Sequence, residues 1–356
     1  MPRLYINLRL LEKNAKEVLS LCSKHNVELI GVTKVSLGDP QVAQCIRNAG
    51  VNIIGESRVE NIKRMVKSGI NRPFMMLRIP AISQLEEIVD LCDYILVSEL
   101  KTVEAIEEIC KNAGKSVDLI YMVDVGDLRE GVWYKQAEEE ICKAVKICKT
   151  SRIIGVGTNL GCYGGILPTN ENMAKLVYIR DKIEQRTNTH LPIVSGGNTA
   201  ALKLLEHSDL PEGVNQYRVG EAIMLGTDVT NNRKIDWLEQ KTVVLEAEVI
   251  EMKTKPSVPE GQSGLDAFGR QPVFVDKGLR KRAILALGEQ DTVPKHLKPL
   301  DKNAEVIHAS SDHTIVDITE VQRQINVGDT MKFTLSYAAL LRAMTCPHVE
   351  KIYRGE

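Results

Sequence analysis

The sequence predicts an α/β protein: a (β/α)8 barrel over residues 1–236, followed by a mostly antiparallel β domain over 237–356. Two observations carry this. Through the first two thirds of the chain, eight short β-branched runs alternate with helical patterns. After Trp237 the β runs continue with no long helices between them. Strands that alternate with helices pair in parallel through right-handed crossovers, and eight unbroken units favour a closed barrel over an open sheet.

The opening stretch, "MPRLYINLRLLEKNAKEVL", reads as an amphipathic helix. The strands follow in order as "ELIGVTK", "NIIGES", "FMMLRI", "YILVSE", "LIYMVDV", "RIIGVGTN", "PIVSGGN" and "YRVGEAIM". In "DPQVAQCIRNAG", Asp39 can cap a helix, Pro40 suits its first position and Gly50 its end. In "SQLEEIVDLC", Ser83 and Glu86 have capping-box spacing. The second domain supplies "KTVVLEAEVIEMK", "RAILALGEQD", "AEVIHASSDHTIVDIT" and "DTMKFTLSY". Its Gly- and Pro-rich interruption at 254–273 is too long for a tight hairpin; a functional loop, an interface loop and a mobile insertion all fit it.

Composition narrows the function. The chain has 356 residues, 43% hydrophobic and 26% charged, enough for a sizeable core. Forty-six basic against 47 acidic side chains leave a net charge of −1, which offers nothing to nucleic acid or an anionic membrane. The expected partner is a small molecule. No apolar run approaches membrane-spanning length, and the start lacks the apolar core of a signal peptide, so the cytoplasm is the expected compartment. The 8 cysteines are scattered without zinc spacing, so no metal is expected.

In such a barrel the site lies at the C-terminal ends of the strands. There stand Lys34, Glu56, Ser57, Arg78, Ser98 and Glu99, then Asp124, Arg129, Asn159, Ser195, Asn198, Arg218 and Glu221. The glycine-rich turns "SGGNT" and "RVGEA" close strands seven and eight, where barrels commonly bind phosphate through backbone N–H groups. A phosphate site opposite a first-strand lysine suggests a phosphorylated cofactor. A lysine held among apolar neighbours loses proton affinity and becomes a nucleophile and base near neutral pH, which suits a Schiff base with pyridoxal phosphate. A snorkelling surface lysine or a salt bridge at the barrel mouth is the plain alternative for Lys34.

These stretches fall in the order found in the alanine racemase family of pyridoxal phosphate enzymes, which the chain resembles over nearly its whole length. "GVTKV" is similar to the Schiff-base lysine strand, and "MVDVGDLREG" resembles the V-D-T-G-x-x-R-x-G motif. "SGGNTA" resembles the family's Asn-Ser turn, "YRVGEAIMLG" its phosphate motif, and "ASSDHTIVDI" and "TLSYAALLRAM" its second-domain motifs. "GTNLGCYGG", "SGGNTAALKLL" and "SSDHTIVDIT" resemble the ornithine racemase branch, with its basic-amino-acid racemases.

The resemblance implies pyridoxal 5'-phosphate bound to Lys34, with Arg218 on the pyridine nitrogen. A permanent cation there weakens the cofactor as an electron sink. It further implies that Asn198, Thr199, Gly220 and Glu221 bind the cofactor, the last two chiefly by backbone N–H to the phosphate, with Tyr337 from the second domain. Arg129 would serve both cofactor and substrate carboxylate. A homodimer with shared active sites is implied as well.

Departures from the family pattern point to the substrate. The tyrosine four residues after the lysine is replaced by Gly38, the strand-six histidine by Asn159, and the methionine of the S-M-D motif by Ser311, beside Asp312. These changes open space or add polarity, as a longer substrate with a distal amine requires. Glu289, Asp266 and Asp312 could pair with that amine. The family's second base, a tyrosine, is absent where "LALGEQD" stands; Glu289, Cys162, Tyr163, Asp266 and His313 are the candidates. The expected activity is racemisation of a basic amino acid, ornithine ahead of lysine. The alternatives are an alanine or broad-spectrum racemase, a basic-amino-acid decarboxylase, and a non-enzymatic pyridoxal phosphate carrier suggested by "IIGESRVENI".

Overall fold

The structure, a computed structural model, describes residues 1–355. It divides into two compact units, one of residues 11–239 and one of residues 1–10 with 240–356. The chain opens with β1 (Arg3–Asn7), which belongs to the second of these.

The barrel strands are β2 (Glu28–Val32), β3 (Ile53–Glu56), β4 (Phe74–Met76), β5 (Tyr94–Val97) and β6 (Asp118–Asp124); β7 (Val132–Trp133) is a short addition beside β6. They continue as β8 (Arg152–Gly157), β9 (Ile193–Gly197) and β10 (Gln216–Val219), and a small hairpin of β11 (Thr227–Asp228) and β12 (Arg233–Lys234) follows. Every barrel pairing is parallel, and β10–β2 and β5–β6 contacts close the ring, as expected. Ile30, Ile53, Met75, Leu96, Ile120 and Met122 fill part of the core as one cluster. At about 25 cal/mol per Å2 of apolar surface removed from water, such burial is the main force holding the barrel closed.

Local signals act as the sequence implies at Asp39, whose carboxylate accepts the N–H groups of Gln41 and Val42 and caps the helix Pro40–Asn48. At Ser83 they do not. Residues Ile82–Gln84 form a 3-10 turn before the helix Leu85–Leu91, whose start carries no side-chain cap.

The expected opening helix also begins later, at Leu8. Residues 3–7 alternate, with Leu4 and Ile6 fully buried, and β1 pairs with two distant strands. Period-two burial and this long-range pairing win over the helical pattern, and the Asn7 side chain accepts the Leu10 N–H at 3.0 Å where the helix starts.

In the second unit, β1 lies antiparallel to the long strand β13 (Val243–Pro256). The remaining strands are β14 (Leu279–Leu285), β15 (Leu297–Pro299), β16 (Glu305–Ala309), β17 (Thr314–Asp317), β18 (Thr330–Leu335) and β19 (Glu350–Arg354). The sheet order is β15-β18-β13-β14-β17-β16, antiparallel along this path, with β19 parallel to β1. Leu245, Ala247, Met331 and Phe333 form part of its core. The 254–273 stretch begins as the end of β13 and continues as a loop, and beyond it the Gly278 carbonyl accepts the Ser257 N–H at 2.9 Å. Among the described residues, no helix is long and apolar enough to cross a membrane.

Candidate active site

Lys34 follows directly from how β2 ends. The Thr33 hydroxyl donates to the buried Glu56 carboxylate at 2.9 Å, and the other Glu56 oxygen accepts the Ser57 N–H at 2.6 Å. Ser36 donates back to the Thr33 carbonyl at 2.9 Å. This lattice fixes the turn Lys34–Ser36, from which the Lys34 side chain emerges exposed at the rim of a cavity. The amine is therefore not enclosed by apolar neighbours, contrary to the desolvation expected from the sequence.

The chain then reverses through Leu37 and Gly38, at φ of 58° and 61°. A Cβ at position 38 would lie 2.8 Å from the Asn61 Cβ and 2.9 Å from its carbonyl oxygen. No tyrosine fits there, because both backbone conformation and space exclude a side chain.

The cavity, about 470 Å3, opens at the C-terminal ends of the barrel strands. Val32, Leu77, Ile79 and Leu96 form its apolar part, and Lys34, Arg58, Arg78, Arg129 and Arg218 bring positive charge. Among the described residues of this wall, the one carboxylate is Glu130. Such an excess of cations favours an anionic occupant.

Arg218, on β10, is 5% exposed and makes four hydrogen bonds through its two terminal nitrogens. It donates to the carbonyls of Ser195 (2.9 Å) and Thr158 (2.6 Å), to the Ser195 hydroxyl, and to Asn159 Oδ1 (2.9 Å). Burial pushes its pKa down to about 10, with Glu130 opposing, so it stays cationic at neutral pH. Asn159 Nδ2 donates in turn to Glu130, whose other oxygen meets Arg129 Nε at 2.5 Å.

The loop carrying Cys162 is organised by Asp127. Its carboxylate accepts N–H groups from Gly161 (3.1 Å), Cys162 (3.1 Å), Tyr163 (2.8 Å) and Ile166 (3.2 Å). Cys162 is exposed as a residue, but its sulfur turns toward the Leu160 carbonyl at 3.6 Å. Desolvation pushes this thiol's pKa up, against the nearby Arg129 charge. It is held protonated at neutral pH. Asn198 also reaches Leu160, donating to its carbonyl at 2.8 Å, while its Oδ1 accepts the Ala200 N–H.

Thr199 is buried, and its hydroxyl accepts the Ala222 N–H at 3.2 Å, joining the turns after β9 and β10. The Glu221 side chain turns instead to Thr227 (2.7 Å) and the Val229 N–H (3.0 Å). Desolvation raises its pKa from an ordinary 4.5 to about 7. The folded state thus holds a proton that the unfolded chain releases between these values. The stabilisation from that proton is fully present below pH 4.5 and lost as pH rises through about 7, a swing of roughly 3 kcal/mol. Glu221→Gln should flatten the fall of thermal midpoint between pH 5 and 8; an unaltered slope would show that another group causes it.

The candidate acids of the second unit, Glu289, Asp266 and Asp312, already have partners. Glu289 lies between Arg270 and Arg342, each at 3.1 Å, and Asp266 pairs with Arg270 at 2.7 Å. Asp312 meets His313 at 2.8 Å, and Ser311 donates weakly to it at 3.3 Å. Both Asp266 and Asp312 have lowered pKa values, the first chiefly through the Arg270 N–H and the second through His313. Gly288 lets the backbone of Ser311 and Asp312 approach: a Cβ there would lie 2.2 Å from the Ser311 carbonyl oxygen. Tyr337 is half-buried in the first turn of the helix Tyr337–Thr345, which Ser336 caps.

Residues 6–228 match the family described as alanine racemase, N-terminal domain. The chain is 53% identical over 352 residues to a lysine racemase of Thermotoga maritima, covering 99% of this chain and 98% of that protein. The chain belongs to the alanine racemase family. Its enzyme class is that of a racemase, an isomerase.

This family member is also 37% identical to an ornithine racemase of Acetoanaerobium sticklandii, over 98% of this chain and 99% of that one. The fold matches an alanine racemase structure from Clostridium difficile 630 with a TM-score of 0.75 at 20% identity, over 99% of this chain and 95% of that one. It matches a D-threonine aldolase from Filomicrobium marinum at 0.73 and 15%, over 97% and 88%. Fold likeness at such identities carries no reaction with it.

Of the residues singled out from this racemase's sequence, the structure brings Lys34, Arg129, Asn159, Cys162, Asn198 and Arg218 to one cavity wall. Thr199, Gly220 and Glu221 belong to the same strand-seven and strand-eight turns. Glu289, Asp266, Ser311, Asp312 and Tyr337 belong to the second unit. Sequence reasoning missed Glu130, Asp127 and Arg58. Glu130 was legible only as the acid beside Arg129, and Asp127 gave no local sign that a glycine-rich loop 34 residues on would close over it.

Proposed function

We propose that the protein interconverts the L- and D-forms of a basic amino acid, using pyridoxal 5'-phosphate held in the barrel cavity. The observation that carries this reading is a lysine amine at the rim of a cavity whose wall also holds four arginines. That donor set fits the cofactor: an amine for its aldehyde and cations for its ring nitrogen and the substrate carboxylate. Relatives named for lysine and ornithine, the former more similar, favour lysine ahead of ornithine, the reverse of the order first expected.

When bound, the cofactor links to an amine and withdraws electrons from Cα. Lys34 is assigned to that link and Arg218 to the ring nitrogen. Arg129 is assigned to the substrate carboxylate, with Asn198, Thr199 and the N–H groups of Gly220 and Glu221 on the phosphate. Lys34 Nζ moves the proton on one face of Cα, and Cys162 Sγ on the other. Cys162 shares the cavity wall with Lys34, whereas the Glu289 carboxylate is held by two arginines. Cytoplasmic residence and a homodimer with shared sites complete the proposal. In that dimer Tyr337 extends the phosphate site, and the exposed Asp312, with Ser311, faces the distal amine.

The test is incubation with L-lysine, L-ornithine and L-alanine, following optical rotation with and without added pyridoxal phosphate. Faster turnover of alanine sinks the basic substrate. Release of CO2 or diamine makes the enzyme a decarboxylase, and no turnover of any of the three leaves a cofactor carrier. Cys162→Ala should slow racemisation about 100-fold or more while one enantiomer still exchanges its α-proton with D2O. Undiminished racemisation would move the second proton carrier to Glu289.

A further inference from the structure

We infer that Glu130 is a positioning residue for racemisation, holding Arg129 directly and Arg218 through Asn159. The inference rests on the function proposed above and extends it to a residue with no motif position of its own. Both carboxylate oxygens are engaged: one accepts from Asn159 Nδ2, and the other meets Arg129 Nε at 2.5 Å. The Asn159 amide has one orientation available. A guanidinium only donates and a carboxylate only accepts, so the amide oxygen faces Arg218, at 2.9 Å, and its nitrogen faces Glu130. Because an amide does not titrate near neutral pH, the link between the two ends keeps the same form across the working range.

The need for such a link follows from charge. Arg129 and Arg218 share a wall with Lys34, Arg58 and Arg78, and like charges gathered in one cavity repel. Arg218 is fixed from several sides by main-chain carbonyls, but Arg129 is 43% exposed and lies on a loop. Glu130, 19% exposed, is the anion that sets the direction of the Arg129 guanidinium. Its backbone is fixed in turn by Gly131, where φ is 110° and a Cβ would lie 2.7 Å from the Asp124 nitrogen. A carboxylate here also raises the Cys162 thiol pKa while Arg129 lowers it, so the thiol reports on the pair.

The test compares Glu130→Gln with the unaltered enzyme in two ways. With pyridoxal phosphate and lysine, KM should rise about tenfold while kcat falls less, since a misdirected Arg129 weakens binding of the carboxylate. In protein freed of pyridoxal phosphate, Cys162 should react several-fold faster with iodoacetamide, read by mass spectrometry of its peptide. An unchanged KM or an unchanged alkylation rate overturns the inference. If Glu130→Gln does not fold, Asn159→Ala serves instead. It severs only the Arg218 arm and should lower kcat with little change in KM; unchanged kcat overturns the inference equally. Should the unaltered enzyme racemise none of the amino acids, the proposed function fails and the role in racemisation with it, while the alkylation comparison still tests whether the Glu130 carboxylate acts on the Cys162 and Arg129 side of the cavity.

Discussion

Lys34→Ala is expected to racemise lysine and ornithine at least about 10^4-fold more slowly and to lose the visible absorbance that pyridoxal phosphate gains on linking to the protein. The side chain emerges exposed from a turn whose hydrogen bonds are made by Thr33, Ser36 and Glu56. Exposed charge interactions are worth at most about 1 kcal/mol, so its removal should cost no more than that and lost activity will not be lost folding. Lys34→Arg separates charge from chemistry. It keeps a cation at the rim but supplies no amine that can shed a proton, and should be as inactive as the alanine variant. Persistent absorbance in either variant would overturn the site assignment.

Arg218→Gln is expected to lower both stability and activity. The buried guanidinium is the donor for two carbonyls, the Ser195 hydroxyl and Asn159 Oδ1. A shorter amide leaves several of these without a partner, at a cost of about 3 to 5 kcal/mol. For a chain of this size that corresponds to a thermal midpoint lower by roughly 5 °C. Racemisation should fall about 100-fold or more even where the variant is fully folded, because the permanent cation assigned to the ring nitrogen is gone. Arg218→Lys keeps the charge but cannot span both carbonyls and the amide, so it should recover part of the stability and little of the activity. A Gln variant with an unaltered midpoint would show that the hydrogen-bond lattice around Arg218 is redundant.

Some of this arrangement was legible in the chain. A lysine after a β-branched run, an arginine opening "RVGEA" and alternation of strand and helix need only local periodicity, and the barrel follows from them. Asp39 followed by Pro40 likewise sets its own helix start, because the capping atoms are within three residues of one another. Where contacts are distant, local reading failed. Residues 3–7 pair with strands more than 230 positions away, which helical patterning cannot show. Ser83 has the spacing of a capping box, yet the chain there turns as a 3-10 helix.

The sequence by itself determined the barrel, its family and the identity of the groups at the strand ends, since these depend on period, motif order and residue chemistry. Tertiary structure decided which groups meet. It placed Lys34 exposed at the rim, excluded any side chain at position 38 through Asn61, and joined Arg129 to Arg218 by way of Glu130 and Asn159. The physical reason is range. Propensity and hydrophobic period act over one or two turns, while charge pairing and close approach depend on residues that the closed sheet brings side by side.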